Sequence, residues 1–490
     1  MTNATGNGHT AINLVAAIGF SAEEADPIAA RFIGRPVRDT LDLDTLNRVT
    51  SWVKSCDEHR DCQPRGERLP LRLIDIGSTD KGGWLPIVYV DKYTVTRYIA
   101  LSHCYRHRDI AQANLLPMSQ DKVEFAALSK TFQDAILVTR NLGVKYLWID
   151  ALCITLQGAK DWARDSANIG AVFANAYLTL AATGAKDMSE GLFLKRKPRE
   201  YIRVDYMVAG KIEGKIMAYA LPLDKEAIDR YYLDMRSEPL SQDIWAFQDR
   251  ALSPRTLHFA SDQIYLECQE GFISEDGLNL PQLSTHGGFR FGRIPQDKGQ
   301  AISAWYGMLR DYSQRFHKNP HDKLSAIANL ARAYAEILED EYIAGLWKQH
   351  LVESLTWQSL GHSQDLAQSS APSWSWASFG GLVTRGRRES RTWKPIATVL
   401  DYHIEPEGHD RFGNVKEAWI KIGGPLIPLQ VSEETGPTGH IYLRSPKGDK
   451  GGEYAGLDFM DRSIDKSGSM IKAMKLSCLW KRWRYTRWLL

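Results

Sequence analysis

Cysteine, net charge and long apolar runs are all scarce in this chain of 490 residues. Its six cysteines, Cys56, Cys62, Cys104, Cys153, Cys268 and Cys478, are too sparse for a disulfide framework and fit a reducing compartment. The 61 Lys and Arg nearly cancel the 59 Asp and Glu, and a formal charge of +2 excludes a polyanion-binding surface over the whole protein. No apolar run reaches the roughly 18 residues that span a bilayer. The polar start MTNATGNGHT lacks the charged-then-apolar order of a signal peptide, so a cytoplasmic protein is expected, with the nucleus also open. No G-x-G-x-x-G follows a strand, and Walker, G-x-S-x-G and H-E-x-x-H motifs are missing. Rossmann dehydrogenase, P-loop ATPase, α/β-hydrolase and zincin readings therefore lose support.

What is present is a core-forming chain, 43% hydrophobic and unusually rich in tryptophan with 15 residues, long enough for two or three domains. Leu46, Val49, Trp52 and Val53 fall at helical spacing and predict a helix ending near Cys56; Ala22 to Phe32 carries a weaker helical period. Two β-like stretches follow, 71–76 and 84–90. From Tyr98 the pattern is strand (98–105), helix (132–142, started by Thr131 and Asp134 and stopped by Gly143), strand (145–150), helix (161–176) and strand (178–185). That alternation predicts a parallel sheet covered by helices. Residues 195–300 read as short β runs, 301–356 as helical, 370–445 as β-rich, and 448–456 as a flexible break.

Several residues could carry chemistry. On the expected helix 161–176, Asp165 projects into an apolar face made by Trp162, Ile169, Val172, Phe173 and Ala176. A carboxylate there is either paired, with Arg140, Arg250 or Arg255 as candidates, or kept with a raised pKa for use. Asp150 ends the KYLWID strand, where open α/β sheets bind ligands, or else caps the next turn. Cys153 in the following loop reads as a buried structural thiol. Cys56-x2-His59-x2-Cys62 puts three metal-ligand types in seven residues. Zinc needs a fourth ligand or a water, and paired Cys-x2-Cys spacing is missing, so the expectation is no metal site, with these side chains packed on the core. The tail interleaves Lys472, Lys475, Lys481, Arg482, Arg484 and Arg487 with Trp480, Trp483, Tyr485 and Trp488, which suits a membrane surface or nucleic acid, an unstructured terminus being the alternative.

Taken together, YIALSHCY, LSKTFQDAILVTRNLGVKYLWIDALCI, DWARDSANIGAVFANAYLTLAATGAKDMSEGLF and IWAFQDRALSPRTLHFASDQIYLEC resemble the successive motifs of the fungal heterokaryon-incompatibility (HET) domain. DKLSAIANLARAY, YIAGLWKQHLVESLTW and APSWSWAS resemble the segments that follow in such proteins, so that the similarity covers about residues 50–380. The resemblance implies a flavodoxin-like, Toll/interleukin-receptor-like (TIR-like) parallel sheet core flanked by helices, with an additional helical and β-rich C-terminal region. It also implies a role in non-self recognition and cell-death signalling. Partners would be other incompatibility or signalling proteins, or further copies of the chain, rather than nucleic acid.

Through the TIR likeness it implies NAD as substrate rather than cofactor, Asp165 as catalytic carboxylate, and Ser102, Asp150, Gln248, Asp249, Arg250 and Arg255 as cleft residues. The sequence departs from the family where Tyr105-Arg106 replaces Trp-Gly and where Asp165 and Asp249 replace glutamates. Two other readings of the motifs stay open: a non-catalytic interaction module of the same fold, and a HET-like protein recruited to a biosynthetic gene cluster. The expected organisation is a lead-in over 1–95, the HET domain over 96–270, a helical then β-rich region over 271–445 and a basic, aromatic tail over 446–490.

Overall fold

The apolar runs near Tyr98, Lys145 and Leu178 do pair side by side. The computed structural model describes residues 3–4, 10–11, 17–41, 43–64, 66, 69–77, 83–90, 97–104, 121–154, 168–196, 199–221, 235, 237–281, 289–315, 321–364, 371–385, 393–395, 397–424, 430–435, 441–444 and 480–482. They divide into two units, Met1–Leu283 with Arg290–Arg293, and Ser284–Phe289 with Ile294–Leu490.

In the first unit, besides a short pair at Asn3–Ala4 and Thr10–Ala11, the strands are β1 Ala17–Ser21, β2 Arg72–Asp75, β3 Trp84–Tyr89, β4 Ile99–Ser102, β5 Lys122–Glu124, β6 Tyr146–Trp148, β7 Leu178–Ala181, β8 Ile202–Val208, β9 Lys211–Leu221, β10 Arg255–Phe259, β11 Ile264–Cys268, β12 Gly271–Ser274 and β13 Asn279–Pro281. The helices are α1 Leu43–Cys56, α2 Lys130–Asn141, the single turns α3 Asp150–Cys153 and α4 Pro239–Gln242, and α5 Ile244–Leu252; residues 168–175 are helical as well. Ten strands form one sheet in the order β13-β12-β11-β10-β7-β4-β6-β2-β3-β5. Its middle, β10-β7-β4-β6, is parallel. Both flanks are antiparallel, so the sheet is mixed where the sequence alternation predicts a parallel one.

Register gives the sheet two unlike faces, because partners in adjacent strands project to the same side and neighbours along a strand do not. Leu101, Leu180, Leu257 and Leu266 form an apolar row. That face meets α2, through Phe132 edge-on to His103 at 5.2 Å. The other face carries Ser102 and His258 in one row and Thr179, Thr256 and Glu267 in the next. It is covered by the 168–175 helix, where Phe173 meets Trp148 at 5.6 Å and the Val172 carbonyl accepts from the Tyr98 hydroxyl, and by α5.

Three expectations differ from the structure. Ala22 to Phe32 holds only a short 3-10 turn, Ala29–Arg31, because Pro27 interrupts the run and Asp26 accepts from the Ile28 amide to make a side-chain turn instead. The 195–300 stretch includes a true helix, α5, capped by Asp243 accepting from the Trp245 amide at 2.8 Å.

The third difference lies in the second unit. Among the described residues the 301–356 segment is α-helical over Lys298–Tyr312, Asp322–Ser325, Ala328–Leu338 and Leu351–Ser354, with a 3-10 turn at Lys348–His350. Leu346 and Trp347 belong to a hairpin with Tyr342–Ile343, turned by Ala344 (φ 44°) and Gly345 (φ 98°). Ser375 Oγ and Trp376 Nε1 donate to the Ala344 and Gly345 carbonyls at 2.6 and 2.8 Å, so the SWSWAS segment clasps that turn. Beside it Trp305 lies within 5.1–6.0 Å of Trp347, Tyr334 and Tyr342, the aromatic core of this unit.

Candidate functional site

The carboxyl ends of the parallel strands bring several sequence-predicted residues together. Ser102 is the last residue of β4, and its hydroxyl donates to Asp249 Oδ2 at 2.7 Å. Asp249 stands on α5, whose path across the polar sheet face is fixed by Ser253 Oγ, 2.6 Å from Thr179 Oγ1, and by packing of Ala246 with Cys104, Ala181 and Leu240. Burial pushes the Asp249 carboxyl well above the usual carboxylate range. The Ser102 hydrogen bond draws it back only in part, and the charges of Asp150 and Asp243 raise it further. Asp150 follows β6, begins α3 and accepts from the Ala151 amide at 2.7 Å, so one oxygen makes a local turn bond while its charge reaches Asp249.

The next residues of α5 behave differently. Gln248 is 2% exposed, and its Oε1 is buried without a hydrogen-bond partner among the described residues, an acceptor that a ligand or water would satisfy. Arg250 forks onto Glu267, Nε to Oε2 at 2.7 Å and Nη2 to Oε1 at 3.1 Å, with its guanidinium 3.9 Å from the Phe291 ring centre. His258 Nε2 lies 3.2 Å from Glu267 Oε2 and Nδ1 lies 3.0 Å from Thr183 Oγ1. Burial lowers the His258 pKa against the pull of Glu267. On Glu267 burial acts upward, but the Arg250 charge and the hydrogen bonds from His258 and Arg250 outweigh it and hold the carboxyl down to about 2. Arg250, Glu267, His258 and Thr183 are thus a chain of mutually bonded groups beside the Ser102–Asp249 pair. Sequence reasoning missed Glu267 and His258, although both sit in the quoted block around β10 and β11.

Arg255 is not brought to this group. It opens β10 at the opposite end of the sheet, 1% exposed, and donates to Asp57 Oδ1 at 2.8 Å and to the Tyr177 carbonyl at 2.5 Å. Arg140 donates to the Ile76 carbonyl. Cys153 is buried, which raises its thiol pKa to about 12, and Arg72 donates to its carbonyl. Asp165, Tyr105, Arg106 and the tail residues other than 480–482 lie outside the described residues.

The structure also gathers Cys56, His59 and Cys62 with a fourth side chain, Cys268 at the end of β11. Their ligand atoms lie within 4.8 Å of one another. His59 Nδ1 is 3.7 Å from the sulfurs of both Cys62 and Cys268. Hydrogen bonds from Cys56 and Cys62 lower the Cys268 thiol pKa. No sequence spacing pointed to Cys268, which lies 209 positions from His59.

Among the described residues no helix is long and apolar enough to cross a membrane. No curated protein and no solved structure matches the chain. Residues 98–249 match the family model described as Heterokaryon incompatibility protein (HET), a span that runs from the residue before β4 to Asp249 itself. Over that span the chain is similar to HET domains, and the Ser102–Asp249 pair joins the first and last parts of the match.

Proposed function

We propose that this protein acts in fungal non-self recognition and the cell-death response that follows, and that its HET-like domain binds and cleaves a nicotinamide dinucleotide at the carboxyl ends of β4, β6 and β7. The observation that carries this reading is the Ser102–Asp249 pair: a carboxyl pushed up by burial, next to the charge of Asp150, in the position where open α/β sheets take ligands. In chain order the parallel strands are β4, β6, β7, β10 and in space β6-β4-β7-β10, the 2-1-3-4 arrangement of flavodoxin-like folds, whose switch point falls between β4 and β7. A buried carboxyl with a raised pKa beside a second carboxylate is suited to stabilising an oxocarbenium-like centre while a leaving group departs. Asp165 is the third acid of this reading, on sequence grounds.

A second reading is favoured by the Arg250–Glu267–His258–Thr183 chain, whose members bond one another: the same fold used as a non-catalytic signalling module.

Incubating the purified full chain with NAD separates the two. Catalysis predicts nicotinamide release that falls at least tenfold in Asp249→Asn and Asp165→Ala while thermal unfolding stays cooperative. No release and no NAD-dependent thermal shift, with the protein also tested as a forced oligomer, would leave the signalling module.

A further inference from the structure

We propose that Cys56, His59, Cys62 and Cys268 form a structural zinc site that ties the end of α1 to the end of β11. Three soft thiol ligands and one imidazole are a donor set zinc takes when it closes a fold rather than catalyses, and four ligand atoms within 4.8 Å of one another surround a single ion rather than a multi-iron cluster, whose ligands attach to separate irons. Tetrahedral zinc with bonds of roughly 2.3 Å to sulfur and 2.0–2.1 Å to nitrogen requires sulfur–nitrogen separations of about 3.6 Å and sulfur–sulfur separations of about 3.8 Å. The two sulfur–nitrogen separations given above, 3.7 Å each, meet that requirement, and all four donors fit inside 4.8 Å.

The surroundings are those of a built site. Cys56, Cys62 and Cys268 are 1%, 0% and 6% exposed, which closes the position to solvent. The backbone amides of Glu270 and Gly271 are directed at the Cys268 sulfur and that of Gln269 at the Cys62 sulfur, as bound thiolates need. The loop that presents His59 is fixed from outside. Gln63 Nε2 donates to the Asp57 and His59 carbonyls at 2.9 and 3.1 Å. The Asp57 carboxylate is gripped by Arg255 Nη1 at 2.8 Å and by the Tyr177 hydroxyl at 3.0 Å. Arg255 is the cross-strand partner of Cys268, so one register sets both the fourth ligand and the clamp on the ligand loop. This gives Arg255 a positioning role at the metal loop.

Elemental mass spectrometry on full-length protein purified without chelator should find about one zinc per chain. Cobalt added to the stripped wild-type protein should produce the intense thiolate-to-metal charge-transfer bands and visible transitions of a tetrahedral three-sulfur, one-nitrogen site. His59→Cys should keep the metal and strengthen the charge-transfer bands, a readout that does not depend on a variant that fails to fold. Cys268→Ser should lose the metal, and Arg255→Lys should weaken cobalt affinity at least tenfold without changing the spectrum of the loaded protein. Wild-type protein that carries no zinc and gives no charge-transfer bands with cobalt would overturn the proposal, as would an intact mass short of two hydrogens, which would mark a disulfide in the cluster.

Discussion

Asp134 of α2 accepts the backbone amide of Leu192 at 2.9 Å with the same oxygen that a side chain at Gly191 would overlap. Gly191 has φ 86°, and Thr131 Oγ1 accepts its amide, so the EGLF turn is held by two side chains of one helix. Gly191→Ala therefore meets both left-handed backbone strain and a collision with a fully buried carboxylate. The variant should lose about 2–3 kcal/mol of stability, read as an earlier urea midpoint at unchanged slope. An unchanged midpoint would mean the turn relaxes freely.

Glu267 shares its two oxygens between Arg250 and His258. Removing its charge takes away the carboxylate that the buried Arg250 guanidinium forks onto, so Glu267→Gln should cost roughly 3–5 kcal/mol at pH 7. A carboxyl whose folded pKa is depressed to about 2 adds stability that is present above its unfolded value near 4.3 and is lost as pH falls through about 2. The gap between wild type and variant should therefore shrink on acidification, seen in urea titrations at pH 7, 4 and 2.5. A gap independent of pH would place the loss in packing alone.

The opposite sign holds for Asp249. Its folded pKa is raised, so the stability it contributes is fully present below about 4 and is lost as pH rises through the raised value. Asn cannot ionise and can still accept from Ser102. Asp249→Asn should gain stability over wild type progressively from pH 4 upward, by about 1–3 kcal/mol at pH 8. If the same variant also abolishes the activity tested above, the acid is retained at a cost to stability because it works. A variant less stable than wild type at every pH would make Asp249 a purely structural partner of Ser102.

The elements that read clearly in the sequence are those whose signals are local. The central strands β4, β6 and β7 are continuous apolar runs because both faces are buried, and α2 stops at Gly143 with φ 69° as read; its start lies at Ser129, ahead of the Thr131 and Asp134 signal, whose side chains bond the 191–192 turn instead. Ser102 lay inside a run read as strand to Tyr105 and was picked out only through the family resemblance, whereas Asp150, at the end of such a run, was legible as a strand-end residue. Helix α5 was not, because Ile244, Trp245 and Phe247 are β-favouring side chains and its nine residues leave little room for a helical period. The Tyr342 to Trp347 hairpin was hidden by helical neighbours, and Ala344 at positive φ is not a residue that announces a turn. Cys268 completes its cluster, and Glu267 its network, only through the antiparallel pairing of β10 with β11, a long-range contact that no motif spacing encodes. The antiparallel flanks of the sheet escaped notice because strand direction is set by connections rather than by composition.

Lys323 in the second unit is 1% exposed, and its ammonium donates to the Phe379 carbonyl. Burial lowers its pKa to about 8. An amine with a depressed folded pKa gives the fold its full stability above the unfolded value near 10.4, and that stability is lost as pH falls through about 8. At pH 7 wild type therefore carries a charge-burial cost on the order of 3 kcal/mol, offset by roughly 1 kcal/mol for the bond to Phe379. Lys323→Met keeps the stem's volume and loses both. It should be more stable than wild type by about 1–2 kcal/mol at pH 7, with the advantage gone or reversed by pH 10. Chemical denaturation of the two proteins at both pH values decides this: parallel pH dependence would show that Lys323 is solvated in its ionised form and that its burial carries no electrostatic penalty.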